Sequence, residues 1–375
     1  MDTILRHRRI VWLSRRFILG AFAGCLIVAL GRSVQAQQGP ALPPAGGTAA
    51  PASVKKAASH PQEACCAPAP TACCLRPYDQ VWLISARSLS CSSSGNGLKY
   101  WQLDEAGHWN PSARELFLGT DEPSVPTTVW IHGNRISSGQ AASVGITVYR
   151  QLVRRGDGQP LRFVIWSWPS DRIKGLFKDV RIKADRANAH GYYLGWLLNQ
   201  VQPDCRVSLI GYSYGARIAT GGLHLLAGGS VYGRKLSRRW YPDREPLRAV
   251  LMASAEDSDT LLPGGMHGKA LSQVDQLLLV NNPCDWVLRH YRLIARYRPV
   301  ALGHAGLAVY ALPKSIRAKV KQVSICGKKH DWSLYIHSSF VMARTRSSIF
   351  WNGKRPPSAV AARTKTSAAA VAAKQ

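Results

Sequence analysis

The sequence predicts an α/β fold, with a mostly parallel central sheet covered by helices on both faces in three layers. Three observations carry this prediction. Between Tyr78 and Trp351, apolar runs of strand length alternate with segments of helical periodicity. Apolar residues make up 46% of the 375-residue chain, ample for a full core. At Arg206–Gly215 an apolar run ends in Gly-Tyr-Ser-Tyr-Gly and a helix-like segment follows at once, the pattern of a sharp strand-to-helix turn.

The elements follow in chain order. Val81–Ile84 and the region near Tyr100-Trp101 read as early strands, and Thr127–His132 as the next. Gly139–Arg154 is helical, with Val144, Val148 and Leu152 on one face, and Leu161–Trp168 is a strand. Ala184–Val201 reads as a helix because Leu194, Leu197, Leu198 and Val201 recur at i, i+3, i+4, i+7. The strand Arg206–Ile210 leads through Ser213 into another helix. Leu247–Ala253, Val274–Val280 and Val320–Ile325 supply three more strands, and a helix from Trp332 to about Thr345 closes the domain. There is no internal repeat.

The flanks differ in composition. Residues 1–36 read as an export signal: Arg6, Arg8, Arg9, Arg15 and Arg16 are its basic region, Phe17–Leu30 its apolar core, and Val34-Gln35-Ala36 its cleavage site. Ser14–Leu19 resembles a twin-arginine signal. An uncleaved membrane anchor is the alternative, although Phe17–Leu30 is short beside the ~20 residues of a bilayer span. Phe22 stands where a lipid-anchor motif at Cys25 wants Leu. Residues 37–77, rich in Pro and Ala and carrying Cys65-Cys66 and Cys73-Cys74, suit a disordered spacer. Residues 352–375 form a basic tail of disordered composition. The folded domain is therefore expected at 78–351.

The chemistry starts at Ser213. A serine hydroxyl needs a base to take its proton, an acid to orient that base, and backbone donors for the developing oxyanion. In open parallel sheets such groups sit in loops beyond the carboxyl ends of strands. Asp285 follows the strand Gln276–Val280 and is the candidate acid; it would also serve as a helix N-cap. Asp257 and Asp259, beyond the preceding strand, are rivals. His330 follows the last strand and is the candidate base, with His304 and His337 as rivals. For the oxyanion the expected donors are the backbone N–H groups of Asn134, after the strand ending in Ile131-His132-Gly133, and of Tyr214. His132, Tyr212 and Trp168 are expected to meet substrate, with His132 shaping its loop more than moving a proton.

These segments carry a resemblance. The runs VWIHGNRI, FVIWSWPSD, VSLIGYSYGARI and LLLVNNPCDWVL, then the His330 loop, resemble the α/β-hydrolase superfamily and, within it, an uncharacterised bacterial branch of esterase- or lipase-like sequences. The resemblance spans Thr127–Met342. It implies the α/β-hydrolase fold, Ser213 as nucleophile, Asp285 as acid and His330 as base. Tyr stands on both sides of the serine where His or Met is more usual. The resemblance names a chemistry and not a molecule.

The expected function is thus an exported serine hydrolase acting on an ester or related acyl bond of a small molecule, lipid or polysaccharide, without a cofactor. The alternative is an inactive protein of the same fold that binds an anionic envelope surface through its formal charge of +28. The basic residues form no stripe interleaved with aromatics, which argues against nucleic acid. No Cys/His spacing matches a metal module. Cys284 precedes Asp285 and Cys326 lies four residues before His330, so a bridge would tie the acid loop to the base loop. The cysteine doublets and Cys91 are candidates to pair among themselves. The segments 169–185 and 262–268 are candidate pocket walls.

Overall fold

A computed structural model describes residues 75–154, 158–237, 244–291 and 300–350. The export signal, the spacer with its doublets and the basic tail lie outside the described residues.

Nine strands form one sheet: β1 (Gln80–Ser85), β2 (Lys99–Leu103), β3 (Trp109–Ser112), β4 (Thr127–Ile131), β5 (Arg162–Ser167), β6 (Val207–Tyr212), β7 (Leu247–Met252), β8 (Val274–Asn281) and β9 (Val320–Ser324). Their order is β3-β2-β1-β5-β4-β6-β7-β8-β9. The β1–β2 and β2–β3 pairs are antiparallel, and all others are parallel. Strands β4, β5 and β6 are buried at every residue. A strand covered on both faces must be apolar throughout, which is why these segments read as continuous apolar runs.

The described helices of the α class are α1 (Arg114–Gly119), α2 (Ser138–Val153), α3 (Leu176–Leu198), α4 (Tyr214–Leu226), α5 (Trp286–Arg289), α6 (Leu302–Ala305), α7 (Lys314–Arg317), α8 (Trp332–Ile336) and α9 (Ser339–Ser348). The chain leaves β4 toward β5 but leaves β6 toward β7, so right-handed crossovers put α2 on one face and α3 and α4 on the other. The three-layer expectation thus holds. A capping box starts α2: Ser137 Oγ accepts from the Gln140 N–H, and the Gln140 side chain accepts from the Ser137 N–H. Helices α3 and α4 approach closely at glycines; a Cβ on Gly191 would sit 3.1 Å from the Gly221 Cα. Every residue of α4 is buried.

Three departures from the sequence reading have physical causes. Helix α3 begins at Leu176, not Ala184. Its first turns are rich in charge, and the inward positions are Asp179 and Lys183, an ion pair at i, i+4 with neither side chain exposed. An apolar pattern cannot reveal a helix face made of a salt bridge. The closing helix is split into α8 and α9, because Ser338 caps a new start by accepting from the Val341 N–H. Strand β3 and helix α1 carry no strong period and were not expected.

Helix α1 is fastened by Arg162 at the start of β5. Its buried guanidinium pairs with Asp121, donates to Thr127 Oγ1 (2.9 Å), the Phe117 carbonyl (3.1 Å) and Thr120 Oγ1 (3.0 Å), and lies over the Phe117 ring. Removing it leaves a buried carboxylate without a counter-charge. Arg162→Ala is therefore expected to lower stability by about 3–5 kcal/mol, read from the urea midpoint of the purified protein.

Candidate active site

Strand β6 is the middle one of the seven parallel strands, and its carboxyl end adjoins that of β4, where the chain direction switches. Ser213 stands at this point between β6 and α4. Its backbone is at φ 55° and ψ −119°, a conformation that L-residues avoid. The flanking glycines are there for space. A Cβ on Gly211 would meet the Ala216 Cα at 2.6 Å, and one on Gly215 would meet the Ile131 carbonyl oxygen at 2.0 Å. The Ser213 N–H donates to the Met252 carbonyl (3.0 Å) and its own carbonyl accepts from Ala255 (3.2 Å), so β7 with the loop after it holds the turn from the other side.

Two loops meet the serine there. Ser213 Oγ is 2.9 Å from His330 Nε2, and His330 Nδ1 is 2.7 Å from Asp285 Oδ2. Asp285 is fully buried and caps α5: its Oδ1 accepts from the Leu288 N–H (3.1 Å) while Oδ2 faces the imidazole. The capping and orienting roles thus use different oxygens of one carboxylate. With Nδ1–H donating to Asp285, the Nε2 lone pair is left facing the hydroxyl. Tyr212 packs against the imidazole at 5.5 Å between centroids and against Tyr335 at 5.6 Å.

Strand order, the serine elbow on the central strand and the chain order Ser, Asp, His agree. The fold is that of the α/β-hydrolases. No family model matches the chain, and no curated protein does. Among solved structures the chain is similar to Zea mays acyl-protein thioesterase 2 (16% identity, 60% of this chain and 91% of that one, TM-score 0.37). It is also similar to esterase B of Lactobacillus rhamnosis (15%, 72% and 87%, TM-score 0.34) and to the catalytic core of acetyl xylan esterase of Trichoderma reesei (15%, 54% and 83%, TM-score 0.28). At such values the likeness carries no argument about chemistry, and the assignment of the α/β-hydrolase fold rests on topology and the elbow.

The rival residues lie elsewhere. Asp257 accepts from Tyr291 Oη (2.8 Å) and lies 3.6 Å from the Arg217 guanidinium; Asp259 is exposed. His337 is an exposed helix end and His304 lies in α6.

The three residues expected to touch substrate are all buried, and that expectation is corrected. His132 and Trp168 are buried beneath the turn. Trp168 donates through Nε1 to the His132 carbonyl (2.8 Å), its own N–H points at His132 Nε2 (3.4 Å), and the rings stack. His132 Nδ1 is 2.9 Å from the Gly133 carbonyl. These side chains shape the turn and present no surface to a ligand. Tyr212 is likewise buried, as packing for the His330 ring. The expected oxyanion donors have a suitable setting. Gly133 runs past the elbow so closely that a Cβ there would meet the Ser213 Cβ at 3.1 Å, and among the described residues no other backbone group uses the Asn134 or Tyr214 N–H.

Asn282 belongs to the candidate site, and the sequence reading passed over it. Fully buried, it donates through Nδ2 to the Lys328 carbonyl (2.5 Å) and Tyr335 Oη (3.1 Å) and accepts at Oδ1 from the Cys284 N–H (3.1 Å). It joins the acid loop to the base loop, and its signal was its place immediately after β8 and three residues before Asp285. The candidate wall 169–185 is largely the start of α3, and the loop 262–268 is tied by the buried His267 to Thr220 of α4 (2.9 Å). Among the described residues no three His, Cys, Asp or Glu side chains are grouped to hold a metal ion.

Cys284 and Cys326 form a disulfide across the same two loops. Cys91, a candidate to pair with the doublets, is a free exposed thiol, and Cys205 is free and buried, while pairing among the doublets themselves lies outside the described residues. The bridged cysteines are both exposed and 42 residues apart. Cross-linking a loop of that length stabilises by roughly 3–4 kcal/mol on the chain-entropy account. Reduction with dithiothreitol, or Cys284→Ser with Cys326→Ser, is expected to lower the melting temperature by several degrees and to loosen the His330 loop, read as faster amide exchange at residues 327–331.

The buried histidines set an acid limit. Burial, with a smaller contribution from the neighbouring Arg87, pushes His132 down to about 3; burial, with Arg186 and Arg87, does the same to His190. Both are neutral in the fold and take a proton on unfolding once the pH falls below their ordinary 6.5. Unfolding then binds protons, so stability is lost as the pH falls from about 6.5 toward 3, by about 1.4 kcal/mol per pH unit for each histidine. Chemical denaturation between pH 7.5 and 4.5 checks this, and His190→Gln should lessen the slope by one proton.

Proposed function

We propose that this protein is a serine hydrolase that cleaves an ester or related acyl bond. The observation that supports it is the unbroken hydrogen-bond relay from Ser213 Oγ through His330 to the buried Asp285, at 2.9 and 2.7 Å. In this reading Ser213 Oγ attacks the substrate carbonyl carbon while His330 Nε2 takes its proton. Asp285 keeps the imidazole in the Nδ1–H tautomer and stabilises the imidazolium. The tetrahedral oxyanion receives hydrogen bonds from the Asn134 and Tyr214 N–H groups. His330 returns the proton to the leaving oxygen as the C–O bond breaks, leaving an acyl-serine. A water then attacks that acyl group with His330 again as base, releasing the acid and restoring Ser213.

Export through residues 1–36 belongs to the same proposal. The disulfide supports it, because exposed bridges persist in oxidising compartments. The substrate class is a small-molecule, lipid or polysaccharide ester, and the excess of Lys and Arg, 49 against 21 acids, favours an anionic surface as the place of work.

The full chain should label with a fluorophosphonate probe and hydrolyse p-nitrophenyl esters. Ser213→Ala should abolish the label, and Asp285→Asn should lower kcat by about 10³–10⁴-fold with the fold intact by circular dichroism. A folded wild-type protein that neither labels nor turns over any ester of the chain-length series would overturn the enzymatic reading and leave the envelope-binding one.

A further inference from the structure

Asp179 lies on α3, 34 residues before the nucleophile, and belongs to none of the groups discussed above as catalytic. It is fully buried, yet its carboxylate is saturated. Oδ2 accepts from Asn134 Nδ2 (3.3 Å) and Arg135 Nε (3.0 Å), and Oδ1 accepts from the Ile173 N–H (3.0 Å) and Lys183 Nζ (3.1 Å). Burial raises its pKa, but the bonds from Lys183, Arg135 and Ile173 outweigh it and hold the group below the usual carboxylate range.

Two of those four donors belong to the turn that carries the Asn134 N–H. That turn needs holding. Arg135 sits at φ 61°, a left-handed conformation that a side chain with a Cβ avoids. Its N–H reaches both the Ser170 carbonyl (2.8 Å) and Asn134 Oδ1 (2.9 Å). The Asn134 side chain is thereby clamped between the next backbone N–H and the Asp179 carboxylate. Tyr214, the other expected donor, is tied to the same helix, since its Oη donates to the Val180 carbonyl (3.0 Å). Residues 179 and 180 of α3 therefore touch both halves of the expected oxyanion site. A backbone donor misplaced by an ångström loses much of its effect on a transition state, so a clamp at this point acts on rate.

We propose that Asp179 is a positioning residue that holds the Asn134 N–H in place for the oxyanion. This rests on the serine-hydrolase reading. Asp179→Asn keeps size but replaces one oxygen by an amide nitrogen, turning two donors against a donor. Asn134→Ala keeps the backbone N–H and removes only the clamped side chain; Asn134 is partly exposed, so this variant is the better folder.

The experiment measures kcat and KM for p-nitrophenyl butyrate, and Ki for an alkyl trifluoromethyl ketone, whose serine adduct carries a tetrahedral oxyanion. All are read well below each variant's melting temperature. The expected result is a fall in kcat of about 10–100-fold in both variants, with KM within twofold and Ki weakened in parallel with kcat. A structural role alone would lower the melting temperature and leave kcat and Ki of the folded fraction unchanged, which would overturn the proposal. A rise in KM matching the loss of kcat/KM would overturn it too. Absence of Ser213-dependent turnover in the wild type would overturn the hydrolase reading and this proposal together; normal variants beside an active wild type would overturn this one alone.

Discussion

The close approach of α4 to β6 at residues 211–215 is the constraint on which the site depends. The helix begins so near the end of its strand that no Cβ fits at 211 or 215, and the residue between must take φ 55°. That conformation is unfavourable by about 1–3 kcal/mol and persists only because its surroundings over-determine it. Here β4 presses on one side through the Ile131 carbonyl, and β7 with the loop after it holds the serine backbone from the other through Met252 and Ala255. Were the turn to relax, the hydroxyl would leave the line toward His330, and the capped, buried Asp285 would orient an imidazole aimed at nothing. The fully buried α4 is thus less a covering layer than the brace of one side chain.

Much of this was legible in the sequence, for a definite reason. Parallel strands buried on both faces leave unbroken apolar runs, and such runs announce their own carboxyl ends. Because the chemistry of this fold gathers at those ends, Ser213, Asp285 and His330 could be picked out as an alcohol, an acid and an imidazole in loops just beyond three strands, with Asp257, Asp259, His304 and His337 as rivals. The bridge between Cys284 and Cys326 followed from the same geometry. What escaped was whatever used polar groups inside. The start of α3 was hidden because its inner face is an Asp–Lys pair. His132 and Trp168 looked like site residues because their segment is distinctive, but that distinctiveness serves a buried stack under the turn. Asp179 had no signature at all and Asn282 only its place beside a strand end, since an isolated Asn or Asp in a loop or a charged helix usually faces water.

The escaped groups share a logic with the found ones. This chain has 21 acids against 49 Lys and Arg, so acids are its scarce charge. Yet the side chains of Asp79, Asp121, Asp179, Glu256 and Asp285 are all withdrawn from water. Each meets donors. Asp79 takes Arg76, Tyr149 Oη and the Leu161 N–H; Glu256 takes Ser254 and Thr220 hydroxyls. Withdrawing acids inward leaves a surface more positive than composition alone implies. Arg172, Lys174, Lys178 and Arg181 on the segment before and within α3, and Lys329 beside the base, are exposed. Their field reaches only about 8 Å at physiological ionic strength, so it acts on what lies at the rim and not at a distance.

Three of these carboxylates are built alike. Asp79, Asp179 and Asp285 each accept from a backbone N–H at the edge of an element or loop, at Leu161, Ile173 and Leu288, and each also accepts from a side chain on another segment, Tyr149, Arg135 and His330 respectively. The device staples two parts of the chain while relieving a backbone donor that would otherwise lack a partner. At Asp79 and Asp179 the side-chain partners include arginine, whose charge is fixed, and the staple is static. At Asp285 the partner is the His330 imidazole, whose other nitrogen, Nε2, lies 2.9 Å from Ser213 Oγ. The same buried carboxylate that elsewhere only holds the fold together there orients a ring that faces a hydroxyl, and that difference in one partner turns a structural staple into the end of a hydrogen-bond relay.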